Sequence, residues 1–369
     1  MKEDSLELVR KAFRRYYFYK FDAEIRDISR REFGYATFDN KIIRHLSFKS
    51  IDELRALLIR EIPADAYLSN AYYTNPTAEM DLKGWLYADL IFDIDIKDIP
   101  LKCTDNHKIS ICSNCKRIER SQICSNCNSN IKVVNIPCKN CIDVGKEQVR
   151  RLLDIINDLG SFDIKIYFSG NNGFHVHIYD EELSSIDSDA RREVLDYVTG
   201  RGIIPDIFGI RKDKNEPFII KRVINAKKGW KGRIIKYMLS QKDENSLFRS
   251  LIRKQYQRFS KELEDIVKMF SAYSVDPVVT IDTHRIFRLE NSLSSKSGLA
   301  KIIVDDIDDF NPFNDASLID DELASVYVYN APEFILKDNI FGPYDNTKVE
   351  LPLYAAVYLI CKGLAEAIN

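Results

Sequence analysis

The sequence predicts a mixed α/β fold with two excursions, and three patterns in its 369 residues carry that expectation. Strand-like alternation and helix-like spacing interleave near both ends of the chain, as they do where helices pack on sheets. Seven of the eight cysteines lie between Cys103 and Cys141 and interrupt the first of these runs. Residues 181 to 271, mostly helical in pattern, separate the first run from the second. The chain is longer than one hydrophobic core usually organises. These patterns divide it into a core of residues 1–101, 142–180 and 272–369, a cysteine-rich insertion at 102–141 and a helical subdomain at 181–271.

The elements follow in order. SLELVRKAFRRYYFYK opens with a helix in which Ser5 is a candidate cap and Leu6, Val9 and Phe13 share a face. REFGYATF and KIIRHLSF, joined by FDN, read as a hairpin, and IDELRALLIREI has helical spacing. From Ala88 a strong strand runs through LIFDIDIKDI until about Leu101. After Cys141, VGKEQVRRLLDIINDLG is a helix closed by Gly160. DIKIYF, the turn SGNNG and FHVHIY make a second hairpin. Beyond the helical stretch, strand character returns in VVTID and LAKIIVDDI, with the loop ENSLSSKSG between them.

A net charge of −2 does not by itself suggest a polyanionic partner, but local clusters set the field near a groove. Lys221, Arg222, Lys227, Lys228, Lys231, Arg233 and Lys236 lie in one segment with Trp230 and no acid. That segment fits either a solvated face or a contact with nucleic-acid phosphates. The apolar run LPLYAAVYLIC is too short to span a bilayer, and a core helix is its better reading, with Cys361 a small core residue. No secretory signal is visible in MKEDSLELVRKAF. A cytoplasmic protein with no membrane contact is the expectation.

The sharpest chemical feature is FDIDI. On a strand, Phe92, Ile94 and Ile96 take one face and Asp93 and Asp95 the other, with the two acidic Cα atoms about 7 Å apart. Buried carboxylates need an offsetting partner, and a divalent cation held between two acids supplies one. Hard oxygen ligands suit Mg²⁺ or Mn²⁺, and a pair of such ions can clamp an in-line phosphoryl transfer. A third acid is then required, and Asp282 is the candidate because Val278, Thr280 and Asp282 fall on one face of the strand expected at VVTID. Taken alone, the Asp-x-Asp pair fits a solvent face with salt-bridge partners equally well.

In SGNNGFH, Gly170 and Gly173 permit close backbone approach, and Ser169 with the turn amides of Asn171 and Asn172 offers donors to phosphate. His175 is placed to donate to a triphosphate oxygen, while His177 reads as an ordinary strand histidine. Arg285, Arg288 and Lys296 add positive charge after Asp282, and the spacing of the two arginines puts at least one of them off a regular strand. Each of these features also has an ordinary structural reading.

Cys112-x2-Cys115-x8-Cys124-x2-Cys127 is a four-thiolate pattern for structural zinc. Cys103, His107, Cys138 and Cys141 flank it and complete a second, Cys3His site. Two nested Zn²⁺ sites account for every clustered cysteine. Closed four-ligand sites leave no position for substrate, which assigns them to folding or docking.

Taken together and in order, REFGY, IIRHLSF, AYLSNAYYTNP with KGW, LIFDID, the Cys/His segment, FSGNNGFHVH, VTIDTHRIFR and SLSSKSGL resemble the small catalytic subunit of the archaeal-eukaryotic primase family. The resemblance runs through most of the chain. It implies two β-sheets flanked by helices around an active cleft, with a zinc module on its edge. By the same resemblance, Asp93, Asp95 and Asp282 match the metal-binding acids, Ser169 to Gly173 and His175 the triphosphate motif, and Arg44 and Lys296 basic residues near the nucleotide. Asn172 stands where the family commonly has a basic residue, and Ser294 where it often has histidine. The implied activity is primer synthesis on single-stranded DNA from NTPs or dNTPs, with template, primer and a large primase subunit as partners. A repair or translesion primase-polymerase and a non-catalytic zinc-ribbon module that binds nucleic acid are the alternatives.

Overall fold

The computed structural model describes residues 1–99, 103 and 108–368. Two antiparallel sheets dominate it. The first contains β1 (Arg31–Ala36), β2 (Ile42–Leu46), β3 (Asp65–Tyr73) and β4 (Trp85–Ala88), the second β5 (Leu90–Asp95). After the cysteine-rich hairpin of β6 (Lys108–Cys112) and β7 (Ile131–Asn135), the second sheet continues with β8 (Asp163–Phe168) and β9 (Gly173–Tyr179). The chain then returns with β10 (Ile286–Arg288) and β11 (Ile302–Ile303). The order in the first sheet is β10-β3-β1-β2 with β4 also on β3, and in the second β11-β8-β9-β5. The expected mixed α/β core therefore stands.

Both expected hairpins form. In the second sheet Phe92, Ile94, Phe174, Val176 and Ile178 turn inward and are at most 1% exposed. They join a core that includes Val149, Leu152 and Ile156 of the Lys139–Leu159 helix. Burying side chains of this size stabilises by roughly 1.5–3 kcal/mol each. Because strand side chains alternate, that burial commits Asp93, Asp95 and His175 to the opposite face. There Ile91, Val279 and Phe287 form a small cluster that joins the two sheets. His175 and Phe287 meet across it, with ring centroids 5.6 Å apart.

Helices run through much of the 181–270 stretch, from Glu181–Ser184 to Tyr256–Phe270. At the C-terminal end, β12 (Leu323–Ala331) pairs with β15 (Tyr344–Pro352) and β16 (Ala365–Ala367), and β13 (Phe334–Leu336) pairs with β14 (Asn339–Phe341). The helix Leu353–Lys362 is buried along its whole length, as a core helix should be.

Four local expectations are corrected, the first being the strand from Ala88 to about Leu101: β5 ends at Asp95, and Ile96–Asp98 form a turn of 3-10 helix. The first helix starts at Glu3, and Ser5 is buried within it, its Oγ accepting the Ala367 N–H at 2.9 Å instead of capping the helix. VVTID is not a strand: Pro277–Ile281 is a short helix, with Asp276 as its cap and proline in its first turn, and that start signal overrides the β-branched composition. Val278 is 64% exposed and Thr280 fully buried, so they share no face with each other. LAKIIVDDI contributes only the two-residue β11. Residues 65–73 form the longest strand of the first sheet, yet most of it is buried on both faces, which erases the alternation that would have marked it.

Candidate active site

Asp93 lies directly opposite His175 in the β5–β9 register, and Asp95 opposite Gly173. His175 Nε2 is 3.5 Å from Asp93 Oδ1. Burial, with the neighbouring charges of Asp95 and Asp276, pushes the Asp93 carboxyl up to about 7 against the pull of Arg285 and Lys97. Asp95 accepts from the Lys97 backbone N–H at 3.0 Å and holds Lys97 Nζ at 2.7 Å. His175 is buried, and its basicity is pulled well below the ordinary range first by burial and then by Lys301, Arg288 and Arg285. It is therefore neutral at neutral pH. Its Nδ1 has no hydrogen-bond partner among the described residues, and neither does Asn172 Oδ1.

Asp276 was not singled out from the sequence. Its N–H donates to the Asp93 carbonyl at 2.9 Å, and Val275 bridges to Ile94, so this segment closes the edge of β5 that β9 leaves open. Its side chain caps the Pro277–Ile281 helix through the Val278 N–H. An Asp-Pro pair is a helix-start signal, and that was the available clue. The helix packs Val279 against Ile91, two residues before Asp93, and ends at Asp282. Asp282 Oδ1 accepts from the His284 N–H at 2.8 Å, and its charge acts on Tyr73 and on Arg191. Asn70, also missed, ties these pieces together. Its N–H donates to Arg285 and its side-chain amide to the Asp282 carbonyl, while its own carbonyl accepts from Asp89 at the start of β5.

The turn before β9 is glycine-dependent for a packing reason. Gly170 has φ +82°, and a Cβ at Gly173 would sit 2.5 Å from the Ile94 carbonyl oxygen. Ser297 Oγ donates to the Gly170 carbonyl, which docks the 292–298 loop on this turn. Lys296 of that loop is exposed, and its charge acts on Lys362, which holds Asn171 of the turn. Asn171 Oδ1 accepts from Lys362 at 3.1 Å, and the Asn172 carbonyl from the Ile96 N–H.

The other cations divide. Arg285 stands just outside β10, and its charge acts on Asp93 and His175. Arg288 is spent on Asp65, which Ser295 also holds. Arg44 makes a two-pronged pair with the fully buried Glu32, at 2.9 and 3.1 Å, and Lys83 lies 3.3 Å from the same carboxylate. Arg44 therefore anchors a structural carboxylate first. In the Lys221–Lys236 segment Trp230 is buried, with its indole N–H on the Tyr197 carbonyl, and Arg233 is paired with Asp154 and Asp158. The aromatic that favoured a nucleic-acid contact there is a core anchor.

The cysteines form two groups, Cys112, Cys115, Cys124 and Cys127, and Cys103, Cys138 and Cys141, with the ligand atoms of each group within 4.8 Å of one another. Sulfur separations of 3.4 and 3.5 Å in the first and 3.6 and 3.8 Å in the second approach the roughly 3.8 Å that tetrahedral zinc–thiolate bonds impose. Both donor sets fit zinc. His107, expected as the fourth ligand of the outer site, lies outside the described residues.

Comparison with known proteins supplies the family. A family model described as DNA primase small subunit matches residues 135–306. A DNA primase small subunit PriS from Nitrosopumilus maritimus strain SCM1 is 43% identical over 374 residues, covering 99% of both chains. The protein of that name from Cenarchaeum symbiosum strain A is 38% identical over the full length of both, and that from Archaeoglobus fulgidus 32% identical over 97% of each. With similarity of this degree spanning nearly the whole sequence, the chain belongs to the DNA primase small-subunit family.

Proposed function

We propose that the chain is the catalytic subunit of a DNA primase, a nucleotidyltransferase that joins NTPs or dNTPs into primers on single-stranded DNA. The observation that carries this reading is Asp93. Its carboxyl is crowded by Asp95 and Asp276, raised to about 7, and faced by a neutral histidine, an environment that favours a bound divalent cation over an isolated charge.

Asp93, Asp95 and Asp282 would hold Mg²⁺ or Mn²⁺. Such ions, when bound, acidify the primer 3′-hydroxyl and offset charge on the departing pyrophosphate. The protein's own groups do the rest. Asp93 must give up its proton and Asp95 must part from Lys97. Neutral His175 can donate one ring N–H to a triphosphate oxygen, with Ser169, the turn amides and Lys296 beside it. Arg285 supplies positive charge on the same side as Asp93. Rigid placement on paired strands spares the reacting groups a search for alignment. Residues 1–101, 142–180 and 272–369 make up the catalytic unit in this reading, two zinc ions brace the 102–141 insertion, and a large primase subunit completes a heterodimer.

The test is nucleotide incorporation on single-stranded DNA by the zinc-loaded chain, with and without the large subunit, in Mg²⁺ and in chelator. Incorporation in Mg²⁺ that disappears in chelator and in Asp93→Asn is expected. A wild-type preparation that incorporates nothing in any combination would overturn the reading.

A further inference from the structure

Trp85, the first residue of β4, is 36% exposed, although a residue of this size and apolarity usually finds cover. Its indole N–H donates to the Thr283 carbonyl at 3.3 Å, which fixes the ring beside the segment that follows Asp282. The His284 ring lies 6.4 Å away at 37°, and the buried Tyr73 backs His284 at 6.3 Å. Leu86, the next residue, is 40% exposed. The result is a small, rigid aromatic surface open to solvent and two residues from a candidate metal-binding acid.

Position says what covers it. One edge of β5 carries β9 and the Ser169–Gly173 turn, and the other is closed by Val275 and Asp276, from which the chain leads to Asp282 and His284. The platform thus belongs to the segment that leads from the edge of β5 remote from the Ser169–Gly173 turn, and with the triphosphate on that turn, as in the reading above, this side is left for the template. Before any primer exists, the bases on that side are unpaired, and unpaired bases stack on aromatic side chains whatever their sequence.

We propose that Trp85 and His284 form a stacking platform for an unpaired base of the DNA template. This deepens the nucleotidyl-transfer reading and rests on it. Trp85 is one of only two tryptophans, and the other, Trp230, is buried, so the fluorescence difference between wild type and Trp85→Phe reports the platform. The zinc-loaded wild-type chain is titrated, without Mg²⁺, Mn²⁺ or nucleotide, with oligo-dT and with an abasic oligodeoxynucleotide of equal length. Saturable quenching of the Trp85 signal by oligo-dT alone is expected. Trp85→Ala should weaken oligo-dT binding about tenfold, the loss of one stacked base, and leave abasic binding within about twofold. Absence of quenching, or equal quenching by both oligomers, overturns the platform. Incorporation measured on the same wild-type preparation separates the two ideas: activity without base-dependent quenching removes only the platform, whereas base-dependent quenching without activity removes only the nucleotidyl-transfer reading.

Discussion

Glu32 and Asp93 are both acids drawn inward on the facing sheets, and their surroundings are opposite. Glu32 is fully buried, yet the bonds and charge of Arg44, with Lys83, overcome the effect of burial and hold its carboxyl below the usual range. Around Asp93 burial is joined by two more acids, and its carboxyl rises to about 7. A buried charge that the protein neutralises with its own cations belongs to the architecture. One surrounded by like charge waits for a cation from outside.

Changing Asp93 should have the largest effect on activity. Asp93→Asn is expected to lower nucleotide incorporation on the order of 10³-fold or more while raising the melting temperature of the metal-free chain, because a crowded acid has been removed. Retained incorporation together with an unchanged melting temperature would erase the contrast. At Glu32 the expectation inverts. Glu32→Ala leaves Lys83 buried without its partner and should cost about 3–5 kcal/mol in urea unfolding. Arg44→Met sharpens the same point. A structural role predicts lost stability, whereas a rise in KM for nucleotide at unchanged stability would restore Arg44 to the triphosphate.

The pH dependence separates the two acids more gently. Since folded, metal-free Asp93 binds its proton more tightly than the unfolded chain does, its contribution to stability is present below about pH 4 and is lost as pH rises to about 7, with a slope of at most about 1.4 kcal/mol per unit. Asp93→Asn should flatten that window, as read by calorimetry from pH 4 to 8. Saturating Mg²⁺ should reverse the slope. The smallest effect on the core should come from Cys115→Ser, which is expected to release one zinc per chain and speed amide exchange in β6 and β7 while shifting the main unfolding transition by less than about 1 kcal/mol. Loss of that transition would show that the insertion braces the core.

Much of the site was legible because local rules governed it. The alternation of FDIDI placed the acids on one face, the two-glycine turn marked a hairpin with His175 on its outgoing strand, and CxxC spacing marked the thiolate clusters. Asp282 shows where such rules gave out, since its candidacy was argued from a strand face that is a helix, Asp276 having capped it. β3 was invisible to pattern because burial on both faces removes alternation. Asn70 and Glu32 carried no sign of their roles, which depend on partners up to 215 positions away, between Asn70 and Arg285.

By itself the sequence determined which residues alternate, turn and cluster, since those properties depend on neighbours a few positions apart. Only the tertiary structure decided which charges are matched. Arg44 was drawn to Glu32, Arg288 to Asp65 and Trp230 into the core, while Asp93 was left among acids. Coulomb forces and desolvation depend on distance in space, and that distance is not written in the order of residues.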